Sequence, residues 1–338
     1  MPNCFGTGLL ALDVILNGNI NTKPKLLTGG SCGNVLSILS FLEWDVYPIA
    51  RLSKKVSTSY LLNDLKYNKL KTDLITQTDD GSTPIIIHRI LKDSNGNPKH
   101  RFEFKVPKTS IWLPSYKPVL SNKVEELTSF SKTPKVFYLD RVSRANIDLA
   151  KYYKGKGSVI FFEPSSMSDD KQFLECLAIT DIFKFSNDRL PNYKSRYLKR
   201  QVFIEIETLG ANGLAYRSFK HKSDKWNFLS APFLDTVQDA AGAGDWCSAG
   251  MIHNLCKKGR VSLETLKVKE LENSLQYGQF LGAANCCFFG ARGLMYNLTL
   301  PEVNSLYKKY LQTKEIKLTK TEKGFEIGNK SFDFLQLL

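Results

Sequence analysis

Short hydrophobic runs alternate with amphipathic segments along most of the chain. Runs rich in Val, Ile and Phe predict buried strands at 136–139, 159–163, 182–185 and 202–207. Apolar residues at helical spacing predict helices between them, over 144–153 and 171–177. Strands separated by helices indicate parallel pairing, with helices on both faces of the sheet. We therefore expect an α/β fold built on a parallel sheet.

The first hydrophobic run, from Cys4 to Asp13, predicts a buried strand that ends in a carboxylate. Open α/β sheets bind ligands at the carboxyl ends of their strands, so Asp13 is a candidate binding residue. The alternative is that Asp13 caps a turn. A glycine-rich segment over 28–34 then leads into a helical run over 35–42. A short strand at 46–50 and a helix over 58–67 follow.

A predicted hairpin interrupts this α/β pattern. The runs 84–91 and 100–106 flank the segment 93–98, Asp-Ser-Asn-Gly-Asn-Pro, which is a strong turn signal. We interpret the hairpin as a separate flap and not as part of the central sheet. Phe102 and Phe104 on it could stack on a ring of a ligand. They could equally pack in a homodimer, because an exposed sheet edge can pair with its copy in a second subunit.

The C-terminal part of the chain alternates strands and helices less regularly. We expect hairpin strands at 213–217 and 225–229, and helices at 246–255, 270–289 and 301–311. The tail from Lys314 to Leu338 contains Phe325, Ile327, Phe332 and Phe334. These apolar residues predict short strands that pack on the body of the protein.

Composition and charge exclude several classes of protein. The 338 residues are 42% hydrophobic and 24% charged, as in a globular protein. The formal charge of +14 is spread along the chain, so we expect a lysine-rich surface and no nucleic-acid partner. No apolar run is long enough for a membrane span, and the N-terminus lacks the pattern of a signal peptide. Seven scattered cysteines indicate reduced thiols in a cytoplasmic protein.

The most informative segment is Val237–Trp246. Its small residues, Gly242-Ala243-Gly244, lie between Asp239 and Asp245, and a helical run follows at once. The start of a helix presents N–H groups without internal partners and a positive dipole end, which together attract phosphate. A carboxylate in such a site repels the anion, so Asp245 is better explained as a base than as a phosphate ligand. Close packing of the helix on a sheet is the alternative explanation for the small residues.

Several motifs, in this order, resemble those of the PfkB/ribokinase-like kinases of sugars and nucleosides. They are Gly29-Gly30 with Gly33-Asn34, Thr208-Leu209-Gly210-Ala211-Asn212-Gly213, Asp239 with Gly242-Ala243-Gly244-Asp245, and Gly290-Ala291. The resemblance implies a ribokinase-like fold, with a doubly wound, mostly parallel sheet flanked by helices and a small β lid. The implied kinase domain spans 1–313, with lid strands at about 14–28 and 84–106, and 314–338 forms an extension packed on it.

The resemblance also implies an ATP-dependent phosphotransferase that phosphorylates a hydroxyl of a sugar, a sugar derivative or a nucleoside. Asp245 would take the proton from the acceptor hydroxyl, and the backbone of Gly242, Ala243, Gly244 and Asp245 would form the anion hole. The implied substrate-binding residues are Asp13, Gly29, Gly30 and Asn34. The implied nucleotide-binding residues are Asn187, Thr208, Gly210, Gly213 and Asn285. The implied cofactors are ATP and Mg²⁺, with a monovalent cation near Asp239.

Other roles for these residues stay open at this point. Asn34 can be the N-cap of its helix, and Gly210 and Gly213 can serve an ordinary hairpin. A nucleotide-binding dehydrogenase is a weaker alternative, because Gly6-Thr7-Gly8 is not part of a complete G-x-G-x-x-G at a helix start.

The chain departs from the family pattern at several positions. Leu190 stands where the family has the glutamate of N-x-x-E, which helps to organise magnesium. Ala240 stands where the family has a threonine, and Glu163-Pro164-Ser165 replaces a frequent D-x-N. The alternative function is therefore a catalytically impaired protein of the same fold that binds sugars or nucleotides, or regulates.

Glu205 and Glu207 lie on one face of a strand that should be buried. Unpaired buried carboxylates are costly. We therefore consider Glu207 a candidate magnesium ligand that replaces the missing glutamate. The alternative is that both carboxylates pair with nearby Lys or Arg side chains.

Overall fold

The structure is a computed structural model that describes residues 1–16, 23–92, 98–167, 170–221, 224–318 and 332–338. Within these ranges the strands are β1 (Asn3–Thr7), β2 (Ala11–Leu16), β3 (Lys25–Gly29), β4 (Asp45–Leu52), β5 (Ile75–Gln77), β6 (Ile85–Lys92), β7 (Pro98–Glu103), β8 (Val136–Leu139), β9 (Val159–Phe162), β10 (Ile182–Ser186), β11 (Ile204–Thr208), β12 (Leu214–Ser218) and β13 (Asn227–Leu229). The helices are α1 (Ser31–Phe41), α2 (Val56–Tyr67), α3 (Val124–Thr128), α4 (Arg144–Gly155), α5 (Asp170–Ile179), α6 (Tyr193–Arg196), α7 (Ala243–Leu255), α8 (Arg260–Glu264), α9 (Val268–Asn285), α10 (Gly293–Asn297) and α11 (Leu300–Thr313).

The central sheet has nine strands in the order β13-β12-β11-β10-β9-β8-β1-β4-β5. The strands from β11 to β5 run parallel, and β12 and β13 form an antiparallel hairpin at one edge. Every residue of β8 and β9 is buried, as expected for parallel strands that are covered on both faces. The predicted α/β fold with a mostly parallel sheet is confirmed.

Two hydrophobic cores cover the two faces of this sheet. Tyr138 and Phe161 belong to one core, together with Trp246 of α7. Phe137 and Phe162 belong to the other core. Successive residues of a strand point to opposite faces, so an unbroken apolar run fills both cores at once. This is why the hydrophobic runs in the sequence locate these strands well.

The strand order changes direction between β1 and β8. After β1 the chain fills one half of the sheet with β4 and β5, and it later fills the other half with β8 to β11. Such a change leaves a crevice outside the carboxyl ends of the two central strands, where α/β proteins bind ligands. Thr7 ends β1, and Asp140 follows β8 directly, so these residues mark the crevice.

A second sheet has four strands in the order β3-β2-β6-β7. β2 pairs antiparallel with β3 and parallel with β6, and β6 pairs antiparallel with β7. These strands overlap the segments predicted as lid strands, about 14–28 and 84–106. Of the predicted turn at 93–98, residues 93–97 lie outside the described residues, and Pro98 begins β7.

The prediction of one strand from Cys4 to Asp13 is wrong. β1 ends at Thr7, and Asp13 lies in β2 of the second sheet. The break occurs at Gly8, which has a φ of 139°. A Cβ at Gly8 would lie 1.7 Å from Oδ1 of Asp140, and that oxygen accepts a hydrogen bond from the Leu9 N–H at 2.8 Å. A buried carboxylate far along the chain therefore ends the strand.

Helices α7 and α9 pack closely because small residues line their contact. A Cβ on Gly278 would lie 2.6 Å from the Cys247 carbonyl oxygen, and one on Gly282 would lie 2.7 Å from the Ala243 carbonyl oxygen. Gly282 thus holds α9 against the first turn of α7. The predicted helix over 270–289 is too long, because α9 ends at Asn285.

The C-terminal tail differs from its prediction. Glu315 forms an isolated parallel bridge with Phe233, and Phe334–Leu337 is a short 3-10 helix instead of a strand. Phe332 and Phe334 pack edge to face, with ring centroids 5.1 Å apart. Phe325 and Ile327 lie outside the described residues. Among the helices in the described ranges, none is both long and apolar enough to cross a membrane.

Candidate active site

Helix α7 begins with a glycine that holds a conformation unfavourable to other residues. Gly242 has a φ of 73°, and a Cβ there would lie 2.2 Å from the Ala291 carbonyl oxygen. Gly244 and Asp245 are the second and third residues of α7, so their N–H groups have no acceptor within the helix. The Ala243 N–H donates to the preceding turn at 3.3 Å. Gly242 and Ala243 therefore shape the turn, and the N–H groups of Gly244 and Asp245 are the donors that the helix itself does not use.

Asp245 has the surroundings of a proton acceptor. Asn34 Nδ2 donates a hydrogen bond of 2.8 Å to Oδ2 of Asp245. Removal from water raises the pKa of Asp245 to about 7, and the negative charge of Glu163 adds to this effect. The hydrogen bond from Asn34 and the charge of Lys184 act in the opposite direction. A carboxyl group with a pKa near neutral pH is well suited to accept and release a proton.

The glycines predicted at the substrate site have structural causes. A Cβ on Gly29 would lie 1.9 Å from the carboxyl carbon of Asp13, so only glycine leaves room for that carboxylate. Gly30 has a φ of 76° and is the N-cap residue of α1. The alternative in which Asn34 caps the helix is therefore wrong. Asn34 is the fourth residue of α1, and its side chain binds Asp245 instead.

A buried ion pair lies beneath the start of α7. Lys184 Nζ pairs with Glu163 Oε1 and also donates to the Gly244 carbonyl oxygen at 3.2 Å. Glu163 Oε2 accepts from the Tyr138 hydroxyl at 3.1 Å and from the Ser248 hydroxyl at 2.5 Å. Burial lowers the pKa of Lys184, but the Glu163 carboxylate outweighs it, so the net pKa is raised and Lys184 stays charged.

Sequence reasoning does not find Lys184 as a site residue. The signal that could have found it is a lysine inside the apolar run 182–185, since a lysine is almost never fully buried without a partner. Glu163, noted only as a departure from the family pattern, is that partner.

Asp140 is a second residue that the sequence reasoning misses. It is 1% exposed, and it accepts hydrogen bonds from the Leu9 N–H at 2.8 Å and the Cys32 N–H at 3.1 Å. Burial raises the pKa of Asp140, and Arg141 opposes the shift. Its two backbone partners belong to the turn after β1 and to the first turn of α1, so Asp140 joins the two sheets at the crevice. A carboxylate directly after a buried strand was the signal that could have found it.

Asp239 and Asn285 hold two loops of the site together. Both are fully buried. Asp239 accepts from the Ala241 N–H at 2.6 Å and from the Gly290 N–H at 2.7 Å. Asn285 donates to the carbonyl oxygens of Ala241 at 3.0 Å and Gly290 at 3.3 Å, and accepts from the Leu294 N–H at 3.0 Å. The predicted nucleotide contact of Asn285 is corrected, because its side chain binds backbone groups inside the protein.

A cavity of about 360 Å³ lies between the second sheet and the loop before α10. Its lining includes Asp13 and Leu27 from the second sheet, Asn34 from α1, and Arg292 and Tyr296 from the C-terminal side. Asn34 therefore reaches both the cavity and Asp245. The structure brings the predicted substrate residues together, although Asp13 reaches them from the second sheet and not from the end of β1.

The predicted nucleotide residues divide into two groups. Asn187 and Thr208 lie together at the carboxyl ends of β10 and β11, where the Asn187 N–H donates to the Thr208 carbonyl oxygen at 3.2 Å. Gly210, with a φ of 57°, is exposed, and a Cβ there would have no neighbour within 4 Å. Gly213 has a φ of 117°, and its Cβ would lie 2.2 Å from the Leu229 carbonyl oxygen. Gly213 thus serves the β12–β13 hairpin, as its alternative interpretation expects.

No protein-family profile matches the sequence, and no curated protein sequence matches it. Solved structures match nearly all of it. The fructokinase of Xylella fastidiosa with bound ATP is 15% identical, with a TM-score of 0.71 over 91% of this chain and 99% of that one. A double mutant of the Vibrio cholerae O395 fructokinase, bound to fructose, ADP and potassium, is 15% identical, with a TM-score of 0.68 over 90% and 98%. The nucleoside kinase of Methanocaldococcus jannaschii, an archaeal member of the ribokinase family, is 18% identical, with a TM-score of 0.62 over 91% and 99%.

The chain has the ribokinase fold. The predicted resemblance is confirmed at the level of the fold, because the TM-scores are 0.71, 0.68 and 0.62 over 90% or more of this chain. In this ribokinase fold, the start of α7 lies above Lys184 of β10, and the second sheet lines the cavity that Asn34 connects to Asp245. Three of the four motifs that carried the resemblance are in contact: Asn34 binds Asp245, and Gly290-Ala291 contacts Asp239 and Gly242.

The departures from the family pattern have local explanations. Leu190 is 4% exposed and packs in a hydrophobic core, so this position offers no carboxylate. Glu205 pairs with Arg217, and Glu207 pairs with Lys194. The pairing alternative therefore describes both carboxylates, and the structure does not support a metal role for Glu207. Within the described ranges, no group of three or more His, Cys, Asp or Glu side chains is placed to hold a metal ion.

Proposed function

We propose that this protein is an ATP-dependent kinase that transfers a phosphoryl group to a hydroxyl of a sugar, a sugar derivative or a nucleoside. One observation carries the proposal: Asp245 stands at the start of α7, and Asn34 links it to the cavity that contains Asp13. A base, an anion site and an acceptor pocket therefore adjoin. The solved structures of the same fold are named as fructokinases and a nucleoside kinase, which are kinases of these substrate classes.

Asp245 would accept the proton of the acceptor hydroxyl. The hydroxyl oxygen then forms a bond to the γ-phosphorus of ATP, and the bond from that phosphorus to the leaving oxygen of ADP breaks. Asn34 holds Oδ2 of Asp245, which leaves Oδ1 for the hydroxyl. A pKa of about 7 allows Asp245 to be ionised before the transfer and to release the proton afterwards.

The backbone at the start of α7 would stabilise the charge on the transferred phosphoryl group. Fixed N–H donors act strongly in such a position because they need no rearrangement during the reaction. Gly242 sets the direction of the turn, and Lys184 fixes it from below through the Gly244 carbonyl oxygen. We propose that Asn187, Thr208 and Gly210 bind the nucleotide at the ends of β10 and β11.

The described residues include no group of three or more His, Cys, Asp or Glu side chains that could hold magnesium without the substrate. Magnesium is usually bound by one or two carboxylates together with substrate phosphates, and Leu190 removes the carboxylate that the family places near the phosphates. We therefore assign no step to a protein-bound metal. The monovalent cation near Asp239 stays a prediction, and both Asp239 oxygens already accept backbone N–H groups.

The domain division, the cytoplasmic location and the homodimer through the second sheet also stay predictions. Phe102 and Phe104 are each 53% exposed, so stacking on a ligand and packing in a dimer both remain open to them. Phe102 stacks on the ring of His88, with centroids 4.8 Å apart.

The test of the proposed function measures ADP release with ATP, magnesium and a panel of sugars and nucleosides. We expect turnover with at least one neutral acceptor. Asp245→Asn should then lower kcat by about 1,000-fold or more, because the reaction loses its general base, while the affinity for a nonhydrolysable ATP analogue stays within about threefold. Equal loss of analogue binding would contradict the assigned role of Asp245.

A binding or regulatory protein of the same fold is the second candidate. The observation that favours it is the loss of the family's glutamate at Leu190 and threonine at Ala240. Tight binding of a sugar or nucleoside without ADP release from any member of the panel would favour this candidate and exclude the kinase.

A further inference from the structure

Three residues that line the cavity each have a buried polar atom without a hydrogen-bond partner in the described part of the chain. The atoms are Oδ1 of Asp13, Oδ1 of Asn34 and Nη1 of Arg292. Buried polar atoms in proteins nearly always have partners, so a set that converges on a cavity indicates a ligand that supplies them. The cavity thus offers two acceptors and one charged donor.

Arg292 is fixed in place by an ion pair and a ring contact. Its side chain is 2% exposed, and Nη2 donates to Asp64 Oδ2 at 2.8 Å. The same Asp64 oxygen accepts from the Thr28 N–H at 2.8 Å, which ties Asp64 to β3 of the second sheet. The Arg292 guanidinium carbon also lies 5.5 Å from the centre of the Tyr296 ring. An arginine held this way keeps Nη1 at the cavity without rearrangement on binding.

The deep part of the cavity has no excess of positive charge. The positive charge of Arg292 is already paired with Asp64. Asp13 is a second carboxyl group near Arg292; burial raises the pKa of Asp13 to about 7, and Arg292 opposes the shift. Asn34 is neutral. A phosphate or carboxylate on the acceptor would lie beside the Asp13 carboxylate without an unpaired cation to compensate. Lys25, which also lines the cavity, is on its exposed side. A neutral acceptor fits this charge distribution better than an anion.

We propose that Arg292 is a specificity-determining residue for a neutral, polyhydroxylated acceptor. Its Nη1 donates to the oxygen of one hydroxyl group, while Asp13 Oδ1 accepts from a hydroxyl on the same ring. This proposal rests on the proposed function, because it names the acceptor class for that site. The cavity volume of about 360 Å³ lies near the small end of ligand pockets, about 300–1,000 Å³, and suits a single ring.

The first test compares neutral and anionic probes by calorimetry, with a nonhydrolysable ATP analogue present. The neutral probes are D-fructose, D-ribose and inosine, and the anionic probes are fructose 6-phosphate and D-gluconate. We expect at least one neutral probe to bind about tenfold or more tightly than either anion. Tighter binding of an anion, or no binding by any neutral probe, overturns the proposal.

The second test removes the donor. Arg292→Met should weaken the best neutral probe by roughly 10- to 100-fold, as expected for loss of a hydrogen bond from a charged group. Deoxy analogues of that probe, each lacking one hydroxyl, identify the contact. For the analogue without the contacted hydroxyl, Arg292→Met should weaken binding by less than about threefold. Equal losses for the parent probe and every analogue would overturn the proposal.

Control variants separate recognition from folding. Arg144→Met removes an exposed arginine of α4 and should leave binding of the neutral probe unchanged. Arg292→Lys keeps the charge beside Asp64 but cannot serve Asp64 and the substrate together, so we expect an intermediate loss of about three- to tenfold. Binding of the ATP analogue should stay constant in Arg144→Met, Arg292→Met and Arg292→Lys. If both Arg292 variants lose binding of the ATP analogue, Arg292 has a structural role and the proposal is overturned.

The two proposals fail in different ways. Binding of a neutral probe that depends on Arg292, without ADP release, excludes the kinase and keeps the role of Arg292. If the protein turns over a neutral acceptor and Arg292→Met leaves the KM for that acceptor unchanged, the role of Arg292 is excluded and the kinase is kept.

Discussion

Replacing Lys184 with Met should lower the free energy of unfolding more than the same replacement of any exposed lysine. The side chains of Lys184 and Glu163 are 1% and 13% exposed. Removing one partner of a buried pair leaves an uncompensated charge, at a cost of about 3–5 kcal/mol. Glu163 keeps its hydrogen bonds from Tyr138 and Ser248, so we expect the lower end, about 3 kcal/mol. For a chain of 338 residues this corresponds to a fall in Tm of about 4 °C.

The same substitution should change the pH dependence of catalysis. The positive charge of Lys184 lowers the pKa of Asp245, and the negative charge of Glu163 raises it. Lys184→Met therefore moves the midpoint of the acid limb of kcat/KM to higher pH. Lys184→Met with Glu163→Gln removes both charges, so the midpoint should return towards its original value. Stability should recover by about 1 kcal/mol or more, because no unpaired buried charge remains.

Thermal melts and urea titrations of the variants measure these effects. Lys151→Met is the matched control, because Lys151 pairs with Glu175 at the surface, with side chains that are 47% and 29% exposed. Its loss should stay below about 1 kcal/mol. The reasoning is refuted if Lys184→Met costs no more than Lys151→Met, or if the double variant is less stable than Lys184→Met alone.

Three further predictions concern the same site. In the unaltered protein kcat/KM should rise about tenfold per pH unit on the acid side and level off near pH 7, because Asp245 must be ionised and its pKa is about 7; a midpoint near pH 4 would contradict this. Gly242→Ala should lower kcat by about 100-fold or more, since a φ of 73° and the Ala291 carbonyl oxygen leave no room for a Cβ and the N–H donors must move; a normal kcat would refute it. Asn285→Ala should lower the free energy of unfolding by roughly 3 kcal/mol, measured by urea titration, because three buried backbone groups lose their partner; a loss below about 1 kcal/mol would show that the loops hold without it.

The sequence predicts the elements whose periodicity is set by burial. β8 and β9 are buried on both faces, so their apolar runs are unbroken and easy to locate. The turn at Gly242 is equally visible, because its backbone geometry demands small residues beside the start of a helix. These local causes act within a few residues, which is the range over which a pattern in one sequence can be interpreted.

The remaining features depend on contacts that no local pattern contains. Residues 4–12 are apolar or glycine apart from Thr7, so the hydrophobic pattern does not indicate that β1 ends at Thr7 and that Asp13 enters another sheet. The break is imposed by Asp140, 131 residues from its partner Leu9. Asn34 and Asp245 are separated by 211 residues, and Asp64 and Arg292 by 228. Polar pairs of this kind are created by the topology, so they become visible only when the strands and helices are placed.

These long-range pairs also determine which groups of the site are available to bind a phosphate. The buried cations near it are already matched, Lys184 with Glu163 and Arg292 with Asp64, so neither has an unpaired charge for an anion. Arg189 differs from these two cations because it is exposed. Its positive charge lowers the pKa of Asp245. In the proposed reaction, the backbone donors of Gly244 and Asp245 would therefore meet much of the charge on the transferred phosphoryl group. A site that depends on backbone direction tolerates a changed side chain at Ala240 or Leu190 better than a changed turn at Gly242.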